Sequence, residues 1–327
     1  MVELLYMTTS AERSNATRIV LAIHGGLAGP RERLTEQDER EVRQALAESL
    51  TAGFKVLQSD GVTSLDAVIA AVLVMEDSPH FNAGKGSVFT RSGTIEMDAA
   101  IMEGTTRGAG AVASVKRIRN PVLAARAVMM QSPAVFLVGP EADQFAENAG
   151  LTMVDPSYFV TERRWNDFQT WKERQQQRDS DVSSADLAPI SRGTVGAVAL
   201  DHNSNLAAAT STGGVSFKVP GRVGDSGVLG AGTFADNRTC AVSATGDGEL
   251  FIRSTAAHSV SARMRYRNQS VAEAAQEAVD DVCDLGGIGG LIALDRDGIL
   301  AMPYHAVGMF RGSVDERGNI QVALYEE

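Results

Sequence analysis

Apolar positions along the chain switch repeatedly between short continuous runs and a spacing of three to four residues. Ile19 to Ile23 (IVLAI) is a short apolar run that reads as a strand and feeds a glycine turn at His24-Gly25-Gly26. Val42, Leu46, Leu50, Phe54 and Leu57 recur at helical spacing and predict a helix over 37–57. A second helix is predicted over 64–76, where Thr63 and Asp66 form a capping-box pattern and LDAVIAAVLVM is apolar nearly all round, as in a buried helix. Residues 108–115 (GAGAVASV) read as a strand, 120–131 as a helix, 135–138 as a short strand and 141–149 as a helix. After a polar stretch, TVGAVALD (194–201) and LAAATST (206–212) read as two strands joined by a turn over 202–205. Strands are predicted over 228–234, 239–245, 290–295, 299–303 and 320–325, with helices over 248–266 and 270–283. No tandem repeat is present, and the mixture of elements predicts a layered α/β or α+β fold.

Residues 161–192 break this pattern. The segment is charged and rich in Gln, Ser and Asp; part of it has helical character, and 179–190 reads as a flexible linker. An ordinary interdomain connection would look the same, except that this one ends at Gly193-Thr194 and opens directly into a strand.

Composition narrows the function classes. With 44% hydrophobic residues in 327, the chain can bury a large core. A net charge of −11 repels phosphate backbones and argues against nucleic-acid binding. No apolar run reaches membrane-spanning length, and residues 1–18 lack the basic and apolar regions of a secretory signal, so that segment is expected to be a partly disordered extension. Cys240 and Cys283 form neither a zinc pattern nor a CxxC motif; two reduced thiols suit the cytoplasm.

Several residues can do chemistry, each with an ordinary alternative. Gly193-Thr194 is a common way to start a strand. If the bond between them is cut, however, Thr194 gains an α-amine with a reference pKa of about 7.7–8.0, fit to take the proton from its own hydroxyl. Arg222 and Asp225 in PGRVGDS are either an exposed ion pair or a matched pair for an amino acid's carboxylate and ammonium. TGDGE at 245–249 has the form of a strand-to-helix anion turn, but it lacks a P-loop lysine, and Asp247 and Glu249 would repel phosphate. No GxSxG elbow is present.

Taken together and in order, HGGLAG (24–29), FNAGKGSVFT (81–90), EMDAAIMEG (96–104), RNPVLAARAVM (119–129), SRGTVGAVALD, NLAAATSTGG, PGRVGDS and SATGDGE resemble the plant-type L-asparaginase/isoaspartyl aminopeptidase family of N-terminal-nucleophile hydrolases. The resemblance covers nearly the whole chain beyond residue 18. It implies a four-layer αββα sandwich, one structural domain built from an α subunit (1–193, with the linker over 161–193) and a β subunit (194–327). It implies self-cleavage between Gly193 and Thr194, with Thr194 as nucleophile and Thr212 beside it. Thr245 and Gly246 would form the oxyanion hole, and Arg222, Asp225, Gly248 and Asn82 would bind the substrate or stand near the cut. The loop from Met75 to Lys85 resembles a structural sodium loop, with ligands at Met75, Glu76, Ser78, Phe81, Ala83 and Lys85. No catalytic cofactor is expected, and no histidine is required; His24, His80, His202, His258 and His305 are expected to be structural or exposed. The implied substrates are small: asparagine or β-aspartyl dipeptides. The implied assembly is a dimer of αβ units. The rival readings are a glycosylasparaginase, against which the missing secretory signal argues, and an uncleaved binding or scaffold protein, against which the retained site residues argue. Two positions depart from the pattern: Leu27 lengthens the usual HGGAG segment, and Asp247 replaces a frequent Thr or His, placing a carboxylate beside the expected substrate site.

Overall fold

The computed structural model describes residues 18–178 and 193–326; all but Arg18 of the expected extension, and the linker expected over 179–190, lie outside the described residues. In chain order the first part holds β1 (Val20–Ala28), α1 (Glu36–Leu57), α2 (Ser64–Asp77), β2 (Met97–Glu103), β3 (Ala109–Val115), α3 (Pro121–Gln131), β4 (Phe136–Val138), α4 (Gly139–Asn148) and α5 (Glu162–Arg178). The second part holds β5 (Val195–Leu200), β6 (Leu206–Thr212), β7 (Thr233–Ala235), β8 (Cys240–Gly246), α6 (Gly248–Ser254), α7 (Ala256–Arg267), α8 (Val271–Asp284), β9 (Gly289–Asp295), β10 (Leu300–Ala301), β11 (Tyr304–His305), β12 (Gly308–Val314) and β13 (Ile320–Ala323).

Eight strands form one sheet in the order β13-β12-β1-β5-β6-β2-β3-β4, so strands from before and after residue 193 interleave across it. A smaller sheet runs β10-β9-β8-β7, with β11 added against β9. Helices α1, α2 and α3 cover the outer face of the large sheet, and α7 and α8 cover the small one, while β1, β5 and β6 face β8 and β9 across the interior. This is the four-layer αββα arrangement.

Period-two alternation assigns each strand residue to a layer. Leu21, Ile23, Val195, Ala197, Ala199, Ala207 and Ala209 pack toward the helices α1–α3. Ala22, Val198, Leu200, Leu206 and Ala208 pack between the sheets, on the side that Ala241, Ile292 and Leu294 of the small sheet face. By the same parity His24, Thr194, Thr210 and Thr212 fall on the inter-sheet side, and Ser211 falls on the helix side. There Ser211 Oγ donates to the buried carboxylate of Glu76 on α2, at 2.6 Å from Oε1.

The helices begin where their caps predict. Thr35 and Thr63 each close a capping box at the starts of α1 and α2. Four sequence expectations change. The glycines of HGGLAG do not make a turn: β1 runs on to Ala28, and a bulge between His24 and Gly26 absorbs one residue, so that Leu27 pairs with Met309. Part of 161–192 is indeed helical, as α5. The helix expected over 248–266 is two helices, because Thr255 adopts a left-handed backbone (φ 47°) between them. The strand expected over 228–234 shrinks to Thr233–Ala235, since Asp225–Gly227 form a 3-10 turn and Gly230 N–H bonds back to Thr233 O. β12, whose glycines at 308 and 312 hide its alternation, has no counterpart among the expected strands.

Candidate active site

Thr194 stands immediately before β5, and Thr212 is the last residue of β6. The two strands pair with Val195 opposite Ser211 and Gly196 opposite Thr210, a register that sets Thr194 across from Thr212. The result is a directed hydrogen-bond chain. Thr194 Oγ1 donates to Thr212 Oγ1 at 3.2 Å, and Thr212 Oγ1 donates to the carbonyl oxygen of Gly193 at 3.0 Å while accepting the Gly214 N–H at 2.9 Å. Asn82 Nδ2 donates to the same Gly193 oxygen at 2.8 Å and to Gly214 O at 2.6 Å. Its orientation is fixed, because Oδ1 accepts the Val88 N–H at 2.9 Å. Asn82, expected near the cut and the substrate, therefore sits on the bond between Gly193 and Thr194.

Gly26 closes the other side of that bond. Its backbone takes φ +98°, and a Cβ there would lie 2.8 Å from Gly193 Cα and 2.9 Å from Thr194 N. The bulge in β1 thus brings bare backbone against the Gly193–Thr194 peptide.

Thr194, Thr212, Gly214, Arg222, Asp225 and Gly246 line one narrow cavity. Asp225 is buried, and its Oδ2 has no partner among the described residues. Burial pushes its carboxyl up to about 7, against the lowering pull of the nearby Arg222 guanidinium. Arg222 itself is engaged: Nε and Nη2 donate to the two carboxylate oxygens of Glu249 at 2.8 and 2.7 Å. Its Nη1 lies toward Gly214 and Gly224 on the cavity wall. That pair occupies one edge of the guanidinium; the other edge keeps a hydrogen on each of Nη1 and Nη2, so the two-pronged grip on a substrate carboxylate expected from the sequence does not require Glu249 to leave. Gly248 packs behind both groups, where a Cβ would meet Asp225 Oδ1 at 2.8 Å and Arg222 Nη2 at 2.9 Å.

At the end of β8, Thr245 is fully buried, and its Oγ1 has no hydrogen-bond partner among the described residues. A buried hydroxyl left unsatisfied beside a cavity is a donor held ready for something that arrives. The carboxylate of Asp247 does not line the cavity; its Oδ2 accepts the Ile288 N–H at 3.0 Å.

The loop after α2 folds tightly upon itself. Glu76 O accepts the Lys85 N–H at 2.7 Å, Met75 O accepts the Ser78 N–H, and a Cβ on Gly86 would lie 2.7 Å from both Pro79 O and Phe81 O. The carbonyl oxygens of Pro79 and Phe81 thus form a small cradle beside Gly86, while those of Met75 and Glu76 each accept an N–H. The Glu76 carboxylate is not part of it: Oε1 accepts the Val122 N–H and the Ser211 hydroxyl, and burial pushes the group up to about 8. Among the described residues, no cluster of three or more His, Cys, Asp or Glu side chains could hold a metal.

Sequence reasoning missed two participants. His24 is fully buried with Nδ1 3.0 Å from Thr194 O; the alternation of β1 carried the signal, since His24 shares its parity with the inward-facing Ala22. Glu249 holds Arg222 from 27 residues away, a pairing no local pattern announces. Asn82 stands near the cut as expected, through a bond to Gly193 O that spans 111 residues.

A family model described as asparaginase matches residues 17–324. The chain is 47% identical over 298 residues to an isoaspartyl peptidase of Salmonella typhimurium, covering 90% of this chain and 94% of that protein. It is 47% identical over 297 residues to the isoaspartyl peptidase of Escherichia coli, covering 90% and 92%. It is 39% identical over 286 residues to the isoaspartyl peptidase/L-asparaginase of Homo sapiens, covering 85% and 87%.

Proposed function

The chain belongs to the asparaginase family, and from that premise we infer that it hydrolyses the side-chain amide of L-asparagine and the isopeptide bond of β-aspartyl dipeptides, after cutting itself before Thr194. The observation that carries this reading is the chain Thr194 Oγ1–Thr212 Oγ1–Gly193 O, with Asn82 as second donor to the same oxygen.

In the first reaction Thr194 Oγ attacks the carbonyl carbon of Gly193 as its proton passes toward Thr212. The developing oxyanion is held by Asn82 Nδ2 and Thr212 Oγ. The Gly193–Thr194 C–N bond breaks, the nitrogen takes up a proton, and an ester links Gly193 to Oγ. Water hydrolyses the ester, freeing the Gly193 carboxylate and the Thr194 α-amine.

In the second reaction that amine accepts the Thr194 hydroxyl proton and Oγ attacks the substrate's side-chain carbonyl. Thr245 Oγ1, otherwise unpartnered, and the Gly246 N–H receive the oxyanion; such donors are worth about 2.7–4 kcal/mol each in other hydrolases. Ammonia or an α-amino acid leaves with the proton, and water then releases aspartate. Asp225, as carboxylate, pairs with the substrate ammonium, and Arg222 Nη1 meets its carboxylate.

Sodium is the cation that the loop's resemblance implies, with Met75, Glu76, Ser78, Phe81, Ala83 and Lys85 as the candidate holders. It would supply fixed charge that stiffens the loop carrying Asn82. Assembly into a dimer of cleaved αβ units is supported by exposed Met130, Val135, Phe136 and Val138 around β4, the edge strand of the large sheet. A cytoplasmic setting is supported by two free thiols, one of them, Cys240, pushed up to about 12 by burial.

Intact mass and N-terminal sequencing after incubation test the reading. Fragments 1–193 and 194–327, the second beginning Thr-Val-Gly-Ala, together with ammonia release from asparagine, are expected. A chain that stays whole while binding small ligands would replace the enzyme by a binding protein.

A further inference from the structure

Behind Thr194, on the side away from the cavity, lies a file of buried polar groups that neither reaction uses. His24 Nδ1 is 3.0 Å from Thr194 O, and His24 Nε2 is 2.9 Å from Ser243 Oγ. Ser243 Oγ is 2.7 Å from Thr210 Oγ1, and Thr233 Oγ1 donates to Thr210 Oγ1 at 2.7 Å. Thr233 Oγ1 also lies 3.2 Å from Ser226 O, next to Asp225 in the cavity wall. His24, Thr210, Ser243 and Thr233 are all fully buried. Gly196 makes the meeting possible: a Cβ there would overlap both Ser243 Oγ and His24 Nε2.

Every proton in the file has a determined place. A carbonyl oxygen only accepts, so Nδ1 carries the hydrogen. Burial drives the imidazole's pKa down to about 3, more than the Thr194 carbonyl raises it, so the ring is neutral and Nε2 is an acceptor. Ser243 must then donate to Nε2, which obliges Thr210 to donate to Ser243 and Thr233 to donate to Thr210. All the donors point one way, toward Thr194. A directed chain of this kind polarises each successive bond in the same sense.

We propose that His24 is a positioning residue for the nucleophile: held as the Nδ1–H tautomer by the Ser243–Thr210–Thr233 file, it fixes the Thr194–Val195 peptide plane and thereby the aim of the Thr194 nitrogen and hydroxyl. The proposal rests on the reading of Thr194 as nucleophile. The two strands flanking Thr194 hold its neighbours, and among the described residues the side chain that bonds the carbonyl of the residue carrying both reacting groups is His24. The file ends at Thr233, whose single hydrogen goes to Thr210 and leaves none for the nearby Ser226 carbonyl.

The test is a variant series on the full chain: His24→Ala, His24→Asn, Thr210→Val and Thr210→Ser. The readouts are the first-order rate of precursor cleavage, and kcat and KM for asparagine per mature chain. His24→Ala is expected to lower both the cleavage rate and kcat by about a hundredfold, the order expected for a misplaced reacting group, with KM within about twofold of the parent. His24→Asn, whose Nδ2 can donate to the same carbonyl, should recover most of the loss. Thr210→Ser should match the parent and Thr210→Val should not. The Thr210 pair decides the matter should His24→Ala fail to fold. Overturning results are a kcat for His24→Ala within about threefold of the parent, or equal losses for Asn and Ala that appear in KM and melting temperature alike. Failure of the underlying reading looks different: the parent itself stays uncut, or Thr194→Ala remains active.

Discussion

Replacing Gly26 by alanine should stop self-cleavage while leaving the fold in place. Two effects add at this position. The backbone sits at φ +98°, a conformation that costs a residue with a Cβ about 1–3 kcal/mol. The new Cβ would stand 2.8 Å from Gly193 Cα and 2.9 Å from Thr194 N, whereas carbon atoms rest at about 3.5–4.0 Å. The scissile peptide or β1 must therefore move by about 0.7–1 Å, and a displacement of that size costs about a hundredfold in rate when it misaligns reacting atoms. The assay is a time course of intact mass on freshly purified precursor, fitted to a single exponential. Gly61→Ala is the control: its φ is +75°, but a Cβ there meets nothing within 4 Å. It carries backbone strain without the collision and should cleave at the parent rate. Should Gly26→Ala cleave within about threefold of the parent, close approach at the scissile bond does not govern the reaction and the reasoning fails.

Other expectations follow from the same geometry. Asn82→Ala removes one of two donors to the Gly193 oxygen and should slow self-cleavage by about 10²–10³-fold, measured as the disappearance of precursor. Asp225 must be ionised to pair with an ammonium, and burial holds it up to about 7, so kcat/KM should fall by about tenfold per unit as pH drops below that value; Asp225→Asn should be weak and flat over the same range. The stability linkage has the opposite sign: the raised pKa makes the neutral carboxyl a stabilising form below the ordinary carboxylate range, and that contribution is lost as pH rises through about 7. Thermal melting of the mature enzyme with and without Asp225→Asn checks this. Glu249→Gln releases the half-exposed pair that holds Arg222 and should raise KM by at most about fivefold at constant kcat, because such a pair is worth about 1 kcal/mol or less.

The parts of the site legible in the sequence are those that adjacent strands create. Thr194 and Thr212 each end an apolar run on facing strands of one hairpin, and equal register makes them neighbours without help from the rest of the fold. Arg222 and Asp225 were visible through the resemblance of PGRVGDS to the family's motif, since their spacing alone suits an exposed ion pair. What stayed hidden depends on distant meetings. The Glu249 side chain could have faced solvent anywhere on α6 until the position of Arg222 was known. His24 was set aside as one of five unremarkable histidines, although the parity of β1 already pointed it inward. HGGLAG read as a turn because glycine is the usual punctuation of turns; the bulge that keeps it in the sheet is visible only once β12 is laid beside it. β11 is two residues long, too short for any period to register, and β7 and β10 are what remains of the longer strands expected over 228–234 and 299–303.

The interleaved order of the large sheet gives the cut a direction in time. Before residue 193 lie β1 and the β2–β3–β4 group; after it come β5, β6, β12 and β13, and the two sets alternate across one ladder. Severing the peptide between them separates nothing, because β1 is hydrogen-bonded on one side to β12 and on the other to β5, and β6 pairs with β2. It does erase the connection through which the sheet was first assembled. An intact chain brings β1 beside β5 as a single molecule; two fragments must find each other by collision, each presenting unpaired strand edges as it does so. The mature protein thus keeps a structure whose instructions it no longer carries in one piece. Its working life is set by how slowly it comes apart rather than by how readily it could be rebuilt, and denaturation that the precursor would survive becomes final.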